Sequence, residues 1–416
     1  MIVKPKIKPY FSKQTTKKRC IKQICLLLAI IIAFFAIIIQ PTYTYCASTS
    51  LIETNENLQN QVNELLGDID FTTMQDLVAT FDDNQLKMFS LTNVKDKVKS
   101  VLNGEQAINY NTVMDVVLEV LLQLVIQYVP MFALIIGIGV IASLLGQIKS
   151  KFNEKSTGDI VHFVCFCLIV VVMATSVKRL LTSTHNTLSN MQQQINVLFP
   201  IILTLMTGIG AVNSVGVFQP IMAVMSNVIS VVVVKVVIPI FIFSFVLNVI
   251  GHLSNNVKLD KFNAFLSSLF KWIIGITFTI FFAVMSIQGI SAGAFDSISI
   301  RTAKFTISSY VPVMGGYLSQ GMDLLLASGV LIKNSVGLVG ILLIISSIIS
   351  PILEIIVFSL LLKLVSAVLQ PLNNNRITNF LHSTSKTITM LSSCIIIVGF
   401  MYFLVVGLCM VSANIV

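Results

Sequence analysis

The chain has 416 residues, of which 55% are hydrophobic and 11% charged, and its mean hydropathy is +0.90. Soluble globular domains carry about 25% charged residues, so this composition excludes an ordinary soluble domain and predicts an integral membrane protein. Of the 27 basic residues, eight lie in residues 1–47, which contain no acidic residue. The remaining 19 basic residues nearly balance the 18 acidic ones, so the charge does not predict a nucleic-acid partner.

Residues 1–47 have the three parts of a secretory signal peptide. A basic region precedes the apolar run Ile24–Ile39, and a short polar region follows from Gln40 to Ala47. The sixteen residues of this run exceed the usual signal-peptide core but fall short of the roughly 20 that a spanning helix needs. We predict a cleaved signal peptide, and a retained N-terminal anchor is the alternative.

Residues 48–112 are polar, with ten acidic residues and four lysines. Apolar residues recur among them at helical spacing, as in Leu58, Val62 and Leu65. We predict a small helical segment on the outer side of the membrane, to which the signal would export it. Two interpretations stay open: the segment docks a partner, or it is a solvated tether.

From Val113 to the C-terminus, the pattern predicts a polytopic membrane domain made of helical hairpins. Pro130, Pro239 and Pro351 each introduce an apolar run, and we expect the residues before each proline to belong to the same helix. These prolines lie 109 and 112 residues apart. Each run is followed by a short basic linker and a second apolar run. The paired runs are Met131–Leu145 with Ile160–Val177, Ile240–Ile250 with Trp272–Ile290, and Ile352–Leu369 with Leu391–Met410.

A second kind of unit lies between successive hairpins. Pro200 opens the first and Pro312 the second, and each lies 39 residues before the next hairpin proline. Glycine and polar residues at 208–220 and 321–337 predict a break in each unit, so each is a broken hairpin that crosses twice or re-enters on one side. The hairpin repeats then run parallel, and accidental similarity is the alternative. The predicted repeat units are about 130–199, 200–311 and 312–416.

The basic residues near the ends of the apolar runs favour a cytoplasmic location for the linkers. Eight lie in or beside the linkers, against four on the opposite side, or six if Lys235 and Lys333 are counted there. This bias places the polar segment and the C-terminus outside the cytoplasm. The pair Lys178 and Arg179, on the opposite side, is the main evidence against this orientation.

Few charged residues interrupt the apolar runs, and a charge at the bilayer centre costs at least about 2.5–3.5 kcal/mol. Glu354 follows Pro351 closely and has Lys363 nine residues further along the same helix. Glu354 is predicted to pair or to line a polar interior. The alternative is a position at the end of a span, which suits Lys235 and Lys363 better.

The sequence contains no recognisable phosphate-binding loop, metal-ligand spacing or nucleophile elbow. The four histidines are scattered singly, and four of the seven cysteines lie inside apolar runs. We therefore expect no enzyme activity, no cofactor and no metal site.

The stretch from Arg301 to Asp323 combines a basic cluster with a turn. It reads Arg301-Thr-Ala-Lys304-Phe305, then Tyr310-Val311-Pro312-Val-Met-Gly315-Gly316, with Asp323 beyond. Proline and two glycines suit a broken helix or a loop that leads into a span. Three arrangements are open for the flanking charges: they pair with each other, hold the turn against a partner, or mark its solvent edge.

These motifs resemble the central signature of the stage III sporulation protein AE family, and the order of leader, polar segment and polytopic body is similar to that family too. The resemblance implies a component of the transenvelope channel between mother cell and forespore, located in the mother-cell membrane that surrounds the forespore. It implies other stage III sporulation A-operon proteins as partners, including ring-forming members and an ATPase, in contact with membrane lipid. Self-association is left open.

Two other functions are weighed against the channel component. A stand-alone secondary transporter would need ion-coupling carboxylates near mid-membrane, for which Glu354 is nearly the only candidate. A non-conducting scaffold would instead recruit its partners through residues 48–112.

Overall fold

Membrane-length helices make up most of the structure, a computed structural model that describes residues 61–149 except 63 and 68, and then 155–253, 259–310, 315–372 and 375–412. Every regular element in these ranges is a helix, which confirms the predicted all-α class. Within the described residues, six helices are long and apolar enough to cross a membrane, so the chain is polytopic, as predicted. The predicted signal peptide and Pro312 lie outside the described residues.

The six long helices alternate in direction and form three antiparallel hairpins, whose predicted basic linkers lie at or beside the joints. Helices rise about 1.5 Å per residue and the hydrocarbon core is about 30 Å thick, so a helix of more than 50 residues extends well beyond the bilayer. The helices are α4 (Tyr110–Lys149), α5 (Lys155–Gly208), α6 (Val212–Val232) continued through a π-turn (Val233–Val237) by α7 (Ile238–Leu253), α8 (Asp260–Tyr310), α9 (Gly315–Leu369) and α10 (Asn375–Val411).

The hairpin prolines lie inside these helices, as expected. Pro130 is within α4 and Pro351 within α9, whereas Pro239 is the second residue of α7. A proline lacks the N–H that would bond the carbonyl four residues earlier, which here belongs to Lys235. The π-turn Val233–Val237 surrounds that carbonyl, so the helix widens where the regular bond is lost.

The first predicted intermediate unit is broken at the expected place, but it is not a separate hairpin. Pro200 lies inside α5, and a tight turn over residues 209–211 connects the end of α5 to the start of α6. Gly210 in this turn has φ +80°, a conformation that glycine adopts without strain. The unit therefore consists of the far ends of two long helices.

The break predicted within residues 321–337 is wrong, because α9 is continuous from Gly315 to Leu369. Gly329 and Gly340 instead allow close helix packing, as small residues often do in membrane bundles. A Cβ at Gly329 would lie 2.2 Å from the side chain of Ile209, and one at Gly340 would lie 2.2 Å from that of Leu198. The parallel repeat itself stays a prediction.

Helices α9 and α10 occupy the centre of the bundle. In each of these two helices, 56% of the most apolar 18-residue stretch is buried inside the protein, against 22–33% of the same stretch in the other four spans. The hydroxyl groups of Ser359 and Ser385 bond between α9 and α10 at 2.9 Å. Asn248 of α7 donates to the Thr384 hydroxyl of α10 at 2.7 Å. The other four spans therefore carry most of the surface available to lipid.

Short helices precede the spans in the described residues, and three of them pack against α4, α5 and α9. The Gln75 amide ties them together: it donates to the Thr92 carbonyl at 2.9 Å and accepts from the Val94 N–H at 3.0 Å. Ser346 of α9 donates to the Gln85 carbonyl at 2.7 Å. The described part of the polar segment is therefore a folded cover on the bundle, and a solvated tether does not describe it. These three helices are α1 (Thr72–Val78), α2 (Asp83–Phe89) and α3 (Val94–Leu102).

Candidate functional site

A buried carboxylate lies where α4, α5 and α9 meet. Glu354 of α9 is only 8% exposed. Its Oε1 accepts a hydrogen bond from the Tyr128 hydroxyl of α4 at 2.7 Å and lies 3.4 Å from Nε of Arg179 of α5. Its Oε2 accepts from the Ser183 hydroxyl of α5 at 3.0 Å. The predicted pairing of Glu354 thus has its partners on two other helices.

Arg179 covers this cluster on its exposed side. Its side chain is 52% exposed, and its guanidinium carbon lies 5.7 Å from the centre of the Tyr128 ring. Tyr128 in turn packs edge-on against Phe358, with ring centres 5.1 Å apart. Lys363 is exposed and, nine residues from Glu354, lies on the opposite face of α9. Lys363 therefore matches the alternative of a lysine whose charge reaches the surface.

With both oxygens engaged, the Glu354 carboxylate acts as a clamp between helices. Burying a charge is costly unless it is paired and its remaining lone pairs are satisfied. Arg179 supplies the opposite charge, and the Tyr128 and Ser183 hydroxyls supply the donors. An ion-coupling carboxylate of a transporter must exchange such partners for its ion or proton, and this geometry favours a fixed structural role instead.

The signature stretch forms a second junction, between α8 and α9. Lys304 of α8 and Asp323 of α9 make an ion pair, which is one of the three arrangements left open by the sequence. Arg301 is exposed on α8. The pair joins the two helices beyond the connection that contains Pro312.

The two glycines of the signature occupy different environments, and we expect their alanine variants to differ in stability. A Cβ at Gly315 would lie 2.6 Å from the Ile307 carbonyl oxygen, whereas one at Gly316 meets nothing within 4 Å. Such overpacking costs about 1–3 kcal/mol. Gly316→Ala should be neutral or stabilising by up to about 1 kcal/mol, because alanine favours a helix. Thermal unfolding of both variants in detergent measures this, and equal melting temperatures would contradict the close approach at Gly315.

The turn between α5 and α6 is held by a buried acid that sequence analysis did not single out. Asp296 of α8 is fully buried, and its two carboxylate oxygens accept from the backbone N–H groups of Asn213 and Ser214, both at 2.9 Å. N–H groups in the first turn of a helix have no partner within that helix. Asp296 therefore caps α6 from another helix, where its charge also suits the positive end of the helix dipole. An acid amid serine, glycine and apolar residues was the available signal.

Asp296→Ala is expected to lower the free energy of unfolding by about 2 kcal/mol, because it leaves first-turn N–H groups of α6 without their acceptors. Asp296→Asn keeps one acceptor oxygen and should fall between Asp296→Ala and the parent. The matched control is Asp323→Ala, whose half-exposed ion pair should contribute at most about 1 kcal/mol. Thermal unfolding together with limited proteolysis at residues 209–211 measures the effect. A protease-resistant turn in Asp296→Ala would refute the capping role.

A buried lysine closes the end of α10. Nζ of Lys333, on α9, donates to the carbonyl oxygens of Met410 at 3.0 Å and of Ser412 at 2.7 Å. The last carbonyls of a helix lack partners within it, and a cation there suits the negative end of the helix dipole. By its spacing alone, Lys333 counts among the basic residues opposite the linkers, because spacing carries no sign of burial.

The described surface includes two clefts of similar volume. One of about 490 Å³ lies between α5 and α6 and is lined by residues that include Phe199, Pro200 and Gln219. Another of about 540 Å³ lies between α2 and the start of α4, with Asp115 and Glu119 in its wall. Among the described residues, no group of three or more His, Cys, Asp or Glu side chains is placed to hold a metal ion.

The fold and these junctions define a polytopic all-α membrane protein whose buried charges hold helices together. Comparison with known proteins identifies the family: the sequence model of the family described as Stage III sporulation protein AE (spore_III_AE) matches residues 92–413. The chain belongs to this family, which confirms the resemblance and gives it a role in sporulation. A relative from Bacillus subtilis (strain 168), also named Stage III sporulation protein AE, is 23% identical over 275 residues, which cover 66% of this chain and 69% of the relative. No solved structure matches the chain.

Proposed function

We propose that the chain is a component of the membrane base of a transenvelope channel complex between mother cell and forespore. Family membership supports the sporulation role, and six membrane-length helices support a base embedded in the membrane. The observation that carries the proposal is the filled centre of the bundle. Helices α9 and α10 occupy that centre with apolar side chains, including Phe380, Leu391 and Val405, each at most 1% exposed.

A filled centre bears directly on where cargo would pass. Conduits for water-soluble cargo need a polar, hydrated lining, whereas these core positions are apolar and closely packed. One copy would therefore contribute a wall, and the passage would form between copies or between this chain and its partners. The proposed partners are other stage III sporulation A-operon proteins, including ring-forming members and an ATPase, in the mother-cell membrane around the forespore.

A stand-alone transporter is disfavoured by the clamp at Glu354, whose carboxylate is held by Tyr128, Ser183 and Arg179. A non-conducting scaffold remains the second candidate. It is favoured by the folded cover of α1, α2 and α3, since a folded surface with a cleft beside it suits recruitment of a partner. Export of that cover by a signal peptide is part of the proposal.

The full chain in liposomes separates these functions. As a base component or a scaffold, the chain alone should carry no flux of ions or small solutes. Flux that is lost in Glu354→Gln would establish the transporter and overturn the proposal. In sporulating cells, depletion of the chain should arrest forespore development, and the full chain should restore it. If ring-forming proteins still assemble after depletion while passage fails, the result favours a base component over a scaffold.

A further inference from the structure

Apolar side chains are exposed along α8 over a length that one bilayer cannot cover. Phe262 near its start and Phe305 near its end are both exposed, and 43 residues separate them. At about 1.5 Å per residue they lie about 65 Å apart, whereas the hydrocarbon core is about 30 Å thick. Part of this apolar surface must therefore meet water or protein instead of lipid.

The end of α8 near Phe305 is the part outside the hydrocarbon. We take as the candidate span of this helix the uncharged apolar run Trp272–Ile290, whose 19 residues nearly cross the hydrocarbon core. Beyond it, Asp296, Arg301 and Lys304 place three charges within nine residues, which hydrocarbon does not tolerate cheaply. The exposed apolar residues of this outer part need another explanation than contact with lipid.

We name as the outer face of α8 the side chains of Phe295, Ile298, Thr302 and Phe305. Their spacings of three, four and three residues are those of a seam that receives the side chains of a second helix. The three apolar members are 62–67% exposed. The Thr302 hydroxyl already donates to the Ile298 carbonyl at 2.9 Å, so burial of the face would not leave this hydroxyl donor without an acceptor. The opposite side of the helix, with Asp296, is buried against the bundle.

Charge at the edge of this face indicates what covers it. Arg301 flanks Ile298 and Phe305, is exposed, and forms no ion pair among the described residues. A second copy of the face has no acid to offer, because Asp296 is buried as a cap and Asp323 is already paired with Lys304. Charge complementarity therefore favours a different protein that brings its own carboxylate.

We propose that the outer face of α8 binds an amphipathic helix of another protein, with apolar residues against Phe295, Ile298 and Phe305 and an Asp or Glu against Arg301. This inference rests on the proposed function only in that it names a contact within the same membrane assembly. Its test is scored by crosslinking, independently of spore formation, so a failed contact and a failed channel role give different results.

Photo-crosslinking in sporulating cells tests the contact. A benzoylphenylalanine residue is placed in the full chain at Phe295, at Phe305, or at Ile280, a control that is 55% exposed within the candidate span. We expect protein adducts from the two outer-face positions and lipid adducts alone from Ile280. Sequencing of the crosslinked peptide should show an amphipathic helical pattern with an acidic residue.

Charge variants decide whether the adduct is the proposed one. Arg301→Glu should lower adduct yield about five- to tenfold, because a carboxylate would then face a carboxylate, while Arg301→Lys should retain most of it. Membrane levels of each variant are measured in parallel, since Arg301 is exposed and its variants should fold. A crosslinked peptide from a second copy of this chain, a peptide without an acid, lipid adducts alone, or equal yields in Arg301→Glu would each overturn the proposal.

Discussion

Arg179→Ala is expected to lower the free energy of unfolding by about 2–3 kcal/mol, one of the two largest effects of a single side-chain change that we expect. Removing one partner of a buried ion pair costs about 3–5 kcal/mol, because the other charge stays buried. The value should be smaller here, because Arg179 is half exposed and Glu354 keeps the hydrogen bonds from Tyr128 and Ser183. Thermal unfolding of the full chain in detergent or nanodiscs measures the effect.

A double-mutant cycle identifies the cause. Glu354→Gln removes the charge but keeps an acceptor for the Tyr128 hydroxyl, so the variant with both Arg179→Ala and Glu354→Gln should be more stable than Arg179→Ala alone. Lys178→Ala, which removes the neighbouring exposed lysine, is the matched control and should change stability by less than about 0.5 kcal/mol. Additive effects of Arg179→Ala and Glu354→Gln would show that the two residues are not coupled.

Lys333→Met is expected to cost a similar amount, about 2–3 kcal/mol, because methionine fills the space but donates nothing to the Met410 and Ser412 carbonyls. Each hydrogen bond from a charged donor contributes about 1.5–3 kcal/mol, and part of that gain is offset when the buried charge is removed. Hydrogen exchange should increase at the C-terminal end of α10 before it increases elsewhere, since the loss is local.

The control for this prediction is Lys363→Met on the same helix. Lys363 is exposed, so its replacement should change stability by less than about 0.5 kcal/mol. If Lys333→Met unfolds at the same temperature as the parent and the end of α10 exchanges no faster, the cap contributes nothing measurable.

Features that depend on local sequence were predictable. A run of apolar residues long enough to span a bilayer is recognised from the sequence alone. The all-α polytopic class and the joints of the three hairpins therefore followed from composition and spacing. The turn after Gly208 was also predictable, because glycine next to polar residues is a strong local signal. The motif around Arg301 and Lys304 carried the family resemblance.

The same glycine rule failed in α9. Residues 321–337 contain three glycines, as many as the first break, yet the helix continues, and neighbouring side chains fill the space at Gly329 and Gly337. Whether a glycine breaks a helix or admits a neighbour depends on what packs against it, and that neighbour can be distant in sequence. The equal 39-residue intervals after Pro200 and Pro312 therefore lead into different local structures.

By itself, the sequence determined that this chain crosses a membrane as helical hairpins and to which family it belongs, because hydrophobic length and a local motif are read without knowing any neighbour. Only the tertiary structure decided which charged side chains are buried with bonding partners and which are exposed. Glu354 contacts Tyr128 and Arg179, and Asp296 accepts hydrogen bonds from the first turn of α6. These partners are 82 to 226 residues apart in the sequence. A buried charge is stable only where an opposite charge or hydrogen-bond donors and acceptors lie beside it, and distant residues become neighbours only when the bundle packs.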